Sequence, residues 1–126
     1  MPGVFQNANQ FNQNIGSWDV SRVTDTAAML NGASAFNNGS SDSIANWNTS
    51  NLVIANDMFR KAASFNQPIG SWDMKKVQFL VRFLSDATSF NQSLASWQLD
   101  SLVILPGKPL SGAAAALDHT AISRQN

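Results

Sequence analysis

The chain has 126 residues, room for about one domain, with 8 basic and 8 acidic side chains and a formal net charge of zero. That balance supplies no field for tracking phosphates or an anionic membrane, and nowhere do 18 apolar residues run together to insert into a bilayer. All acids are Asp, and the absence of Cys rules out disulfides, thiolate metal sites and a cysteine nucleophile.

Taken in chain order, the N-terminal "MPGVFQNANQ" lacks the basic and apolar regions of a secretory signal. Its apolar pair Val4-Phe5 instead opens a pattern that returns at Met29-Leu30, Met58-Phe59 and Phe83-Leu84. A nonapeptide follows, "FNQNIGSWD" from Phe11, repeated as "FNQPIGSWD" from Phe65 and more loosely as "FNQSLASWQ" from Phe90. Trp18, Trp47, Trp72 and Trp97 are spaced 29, 25 and 25; Phe11, Phe36, Phe65 and Phe90 are spaced 25, 29 and 25. The two series agree on a period of 25 once an insertion, "GSSD", is placed between Phe36 and Trp47. Asn12, Asn37, Asn66 and Asn91 follow each Phe, and Ala8, Ala33, Ala62 and Ala87 stand three before it.

Within a unit, Leu52, Ala55, Met58, Phe59 and Ala62, and again Val77, Leu80, Val81, Leu84 and Ala87, carry the 3.6-residue spacing of a short amphipathic helix. The near alternation of Ile69, Trp72 and Met74 predicts a strand of two to four residues. Stacking such units strand on strand gives the expected fold class: α/β, a right-handed solenoid of the leucine-rich-repeat type with about four 25-residue repeats, each a short parallel β-strand plus a short helix. The solenoid is expected over residues 1–105, beginning in mid-repeat as a piece of a longer array or one capped by a partner. Residues 106–126, with two prolines, two glycines and an alanine run, are expected as a degenerate cap or flexible tail.

The register "MFRKAASFNQPIGSWD" with "SWDVSRVTD" resembles the DUF285 repeat of BspA-like leucine-rich-repeat surface proteins, over roughly Val4 to Leu105. The resemblance implies a solenoid from bacterial surface lipoproteins and adhesins and from protist and algal families, generally without enzymatic activity, and so an extracellular or cell-surface setting. The chain departs from the family pattern at the "GSSD" insertion, at Gln98 after Trp97, and at Met74-Lys75-Lys76.

Residues that recur in register are expected in the core, because units must match in order to stack: Phe11, Trp18, Phe36, Trp47, Phe65, Trp72, Phe90 and Trp97. The four Asn are expected to pin turns. Asp19 and Asp73 have no second carboxylate in register, so no metal is expected. The one His, His119 beside Asp118, lies in the degenerate tail, and no phosphate loop or acid and base pair is present, so neither enzyme nor cofactor is expected. Function is sought where the repeats differ: Asn38, Ser40, Ser41 and Asp42 in the insertion, Lys75 and Lys76, and Phe79, which lies off the apolar stripe. Asn38, Asn48 and Asn91 each begin an N-x-Ser/Thr sequon. These features point to a non-enzymatic scaffold, a surface adhesion module or a structural subunit of a larger assembly, with a protein partner expected to cover an exposed solenoid end. A glycan-binding module is the alternative.

Overall fold

A computed structural model describes residues 1–103. It overturns the α/β expectation: these residues contain no α-helix and no β-strand, only short 3-10 turns at Asn38–Ser40, Asp42–Asn46 and Ile69–Ser71. Two isolated parallel bridges, Asp25 to Ile54 and Ile54 to Phe79, are the only strand-like pairings among the described residues, and they fall in the segments expected to be helical rather than at Ile69 to Met74.

What the units form instead is a stack of turn-built coils. Through Thr26 to Ala33 the main-chain N–H groups alternate between two kinds of acceptor. Those of Met29, Asn31 and Ala33 donate to the carbonyls of Thr26, Ala28 and Leu30, closing successive tight turns. Those of Ala28, Leu30 and Gly32 cross to the carbonyls of Asn56, Met58 and Arg60 in the next unit, at 2.9, 2.8 and 2.8 Å. Asp57, Phe59 and Lys61 repeat the crossing to Val81, Phe83 and Ser85, and Gly3, Phe5 and Asn7 make it to Ala27, Met29 and Asn31.

This alternation explains both failures of the expected elements. An α-helix directs each N–H to the carbonyl four residues back, so a segment that sends half of them sideways cannot be one. Like a helix, however, the chained turns bring every third or fourth residue inward: Leu52, Ala55, Met58, Phe59 and Ala62 are all buried. The periodicity is therefore real, but it belongs to a different backbone. Val81, which the helical spacing placed inside, is 37% exposed. A strand is prevented because the parallel approach at Asp25, Ile54 and Phe79 lasts only until turns begin at Thr26 and Ala55. Around Ile69 the chain takes a 3-10 turn rather than an extended path.

The turns require left-handed backbone at fixed columns. Gly3, Ala28, Asp57 and Arg82 have φ of 66, 56, 59 and 54°, and Asn7, Gly32, Lys61 and Asp86 have 62, 79, 61 and 60°. At a non-glycine residue this conformation costs on the order of 1–2 kcal/mol, which the inter-coil hydrogen bonds offset.

Side chains complete the stack. Phe11, Phe36, Phe65 and Phe90 lie nearly parallel, with ring centroids 5.6, 5.9 and 5.9 Å apart. Trp47 and Trp72 stack at 5.6 Å. Phe36, Phe65, Phe90, Trp47 and Trp72 are buried, whereas Phe11 and Trp97 are half-buried against the core. Trp18, expected inside, is 40% exposed, because no other described coil covers it. No helix among the described residues is long and apolar enough to cross a membrane. Residues 104–126, which hold the expected cap or tail and the Asp118-His119 pair, lie outside the described residues.

Candidate functional site

The repeated polar residues face neighbouring coils. Asn12 Oδ1 accepts the N–H of Asn37 at 2.7 Å, Asn37 Oδ1 that of Asn66 at 2.8 Å, and Asn66 Oδ1 that of Asn91 at 2.9 Å. Gln67 and Gln92 donate from Nε2 to Asn37 and Asn66 alongside. A second ladder runs through the indoles: Trp47, Trp72 and Trp97 donate from Nε1 to the carbonyls of Ile15, Ile44 and Ile69 at 3.0, 2.9 and 3.0 Å. Each repeated side chain thus satisfies a backbone group that stacking would otherwise bury unpaired.

Asp19, Asn48 and Asp73 occupy a common corner. Their Oδ1 atoms accept the N–H two residues on, from Ser21, Ser50 and Lys75 at 3.0, 3.1 and 3.0 Å. Ser21 and Ser50 add their hydroxyls at 2.6 Å each. The Ser21 hydroxyl and N–H, helped by Arg22, hold the Asp19 carboxyl below its ordinary pKa. Among the described residues no group of three His, Cys, Asp or Glu is placed to hold a metal. The corner is a local turn, a role the sequence signals through Asp or Asn followed two residues later by Ser.

The insertion does not form an open loop. Asn38, expected to meet a partner, is fully buried: its Oδ1 accepts the Ile15 N–H at 2.7 Å and its Nδ2 donates to the Ser41 carbonyl at 2.9 Å. Buried and bonded through both amide atoms, Asn38 is withdrawn as an interaction residue and is an inaccessible sequon. Asn12 Oδ1 also takes the Gly39 N–H at 2.9 Å, and Ser43 donates to Asn14 Oδ1 at 2.8 Å, which fastens the insertion to the preceding coil. Ser41 is half-buried and caps the Ser43 N–H, leaving Ser40 and Asp42 outward.

Lys75 and Lys76 are exposed, with Lys76 Nζ donating to Asn51 Oδ1 at 3.2 Å. Phe79 is 38% exposed and Val81 37%, flanking buried Leu80, and Val103 is 48% exposed. The Val103 N–H donates to the Gln78 carbonyl, so Val103 lies one coil beyond Gln78, the neighbour of Phe79. The structure therefore places exposed apolar side chains on adjoining positions of the last two described coils, with Lys75 and Lys76 earlier on the same coil as Phe79. Arg82 pairs with Asp57 through Nε at 2.7 Å and Nη2 at 3.2 Å.

Coils of 25 residues joined by asparagine, indole and main-chain ladders define a repeat protein whose repeated residues serve packing. The model of the family described as "Mycoplasma protein of unknown function, DUF285" matches residues 1–108, and the chain belongs to that family. No curated protein and no solved structure matches it.

Proposed function

We propose that the chain is a non-enzymatic interaction scaffold, a surface adhesion module or structural subunit that meets a protein partner along its side. The observation that carries this reading is the exposure of Phe79, Val81 and Val103; apart from Val4 and Trp18 in the first coil, no other large apolar side chain among the described residues is exposed. Contiguous exposed apolar surface rimmed by polar residues marks interaction sites. Lys75 and Lys76, earlier on the coil of Phe79, would add specificity beside it, and Ser40 and Asp42, exposed on the insertion, would offer a separate polar contact. Resemblance of the repeat to BspA-like leucine-rich-repeat surface proteins supports the adhesion part of the reading; the backbone does not, having neither β-strand nor α-helix among the described residues. A glycan-binding module is the second reading, favoured by the two exposed rings of Trp18 and Phe79.

Capture with the immobilised chain, followed by native mass measurement, tests the first reading. A discrete complex that is lost in the Phe79→Ser, Val81→Ser double variant is expected, and a chain that remains strictly alone contradicts it. Binding on a glycan array that Phe79→Ser or Trp18→Ala removes would favour the second reading.

A further inference from the structure

The fold treats the sequons at Asn38, Asn48 and Asn91 very differently. At Asn38 the amide nitrogen, the atom that would take a sugar, is already engaged. Its Nδ2 donates to the Ser41 carbonyl at 2.9 Å and to the Ser43 hydroxyl at 3.3 Å, and the residue is fully buried. Asn91 stands in the column of the amide ladder, where Asn12, Asn37 and Asn66 each turn their side chain to the following coil. A sugar in that column would occupy the path by which one coil meets the next.

Asn48 is exposed at the corner of the second coil, and its side chain is held through Oδ1 alone. That oxygen accepts the Ser50 N–H at 3.1 Å and the Ser50 hydroxyl at 2.6 Å, while Nδ2 has no hydrogen-bond partner among the described residues. Because an N–H donor must meet the amide oxygen, the Ser50 main chain decides which end of the amide faces the turn and leaves the nitrogen outward. Bonds donated to Oδ1 also draw electron density toward it, which makes the Nδ2 protons easier to remove. The intervening Thr49 is buried, with its hydroxyl donating to the Asp73 carbonyl at 3.0 Å, so the hydroxyl that serves Asn48 is that of Ser50. In the column Asp19, Asn48, Asp73 and Gln98, only Asn48 has both an amide nitrogen and a hydroxyl two residues on.

We propose that Asn48 is a modification site: an N-glycosylation acceptor whose donor is an oligosaccharide carried on a polyprenyl diphosphate and whose catalyst is a separate oligosaccharyltransferase. In the transfer, Asn48 Nδ2 forms a bond to the anomeric carbon of the sugar and the bond from that carbon to the diphosphate oxygen breaks. The polyprenyl diphosphate leaves with the electron pair, and one Nδ2 proton passes to a base of the transferase. Nothing is oxidised or reduced. The product keeps Oδ1 as an amide oxygen, so both bonds from Ser50 and the corner they close survive the modification. A sugar carried covalently at this corner is independent of the side face at Phe79 and of any glycan bound there.

The test incubates the intact folded chain with a single-subunit eukaryotic-type oligosaccharyltransferase and a dolichol-diphosphate oligosaccharide, and reads intact mass followed by peptide mapping. The mass should rise by one oligosaccharide, located at Asn48, and the product should retain cooperative urea unfolding. Asn48→Gln and Ser50→Ala should each abolish transfer, whereas Ser50→Thr should keep it. Asp19 holds the same corner one coil earlier, with Ser21 in the place of Ser50, so Asp19→Asn should add a second oligosaccharide. The proposal is overturned if the folded chain accepts no sugar while a standard acceptor peptide does, if transfer goes to Asn38 or Asn91 in place of Asn48, or if it persists in Ser50→Ala.

Discussion

Trp72 donates its indole N–H to the carbonyl of Ile44, 28 residues earlier, at 2.9 Å while its ring stacks on Trp47 at 5.6 Å. One side chain thus provides packing and satisfies a buried acceptor. Trp72→Ala should destabilise by about 3–5 kcal/mol. Trp72→Phe, which keeps most of the ring but orphans the Ile44 carbonyl, should cost about 1–3 kcal/mol. Trp18→Ala, at the exposed end, should cost only about 1 kcal/mol. Urea unfolding of the three variants gives the order, and equal losses would show that the ladder is not what holds the indoles.

Asn37 makes a sharper test of the amide ladder. Its Oδ1 takes both the Asn66 N–H and the Gln67 Nε2, and Gln67 is 7% exposed. Asn37→Ala leaves the half-buried Asn66 N–H unpaired at about 1–3 kcal/mol, while Gln67 Nε2 keeps its bond to the Asn37 carbonyl at 3.0 Å. Asn91→Ala is not equivalent because Asn91 is exposed. A neutral Asn37→Ala, measured by the same unfolding, would contradict the ladder.

The left-handed columns predict a stabilising change. Ala28 holds φ of 56° in the column where the first unit has Gly3. Ala28→Gly removes the steric cost, but adds the flexibility of glycine to the unfolded chain, for a net gain of up to about 1 kcal/mol. Ala62→Gly, at a fully buried position outside the columns, should lose stability. Thermal unfolding of both reads the opposite signs.

Close approach between coils predicts the opposite at Gly70. A Cβ there would meet the Ser93 carbonyl, a backbone atom that cannot swing away. Gly70→Ala should destabilise by about 1–3 kcal/mol.

Acid should weaken the Asp19 corner. Its carboxyl pKa is lower in the folded chain than in the unfolded one, chiefly through the Ser21 hydroxyl. The contribution is therefore fully present above the unfolded value, roughly 3.9, and is lost as pH falls through the lower folded value. Asp19→Asn should keep the turn, as Asn48 does before Ser50, and flatten that part of the pH profile of stability.

The period, the insertion and most of the core were legible in the sequence because stacking forces like residues into register: Phe36, Phe65 and Trp72 are buried as their recurrence predicts. The backbone was not legible, since a helix and a chain of tight turns both bring Leu52, Ala55, Met58, Phe59 and Ala62 to one side. A signal for the turns was nevertheless present. The column Asn7, Gly32, Lys61, Asp86 begins with two residues that tolerate positive φ, and the other column begins with Gly3. Asn38 misled because an inserted polar loop reads as surface, whereas its amide turns inward to accept the Ile15 N–H of the preceding coil. The exposure of Phe79 was legible in its absence from the apolar stripe; that of Val81 was hidden by the helical spacing.

The central claim is that alternate N–H groups cross between coils, and scalar coupling through the hydrogen bonds tests it most directly. The Leu30 amide nitrogen should couple to the carbonyl carbon of Met58, and that of Phe59 to Phe83, matching bonds of 2.8 and 2.9 Å. Coupling of Leu30 to Thr26 and of Phe59 to Ala55, four residues back, would instead restore the helix and contradict the turn-built stack.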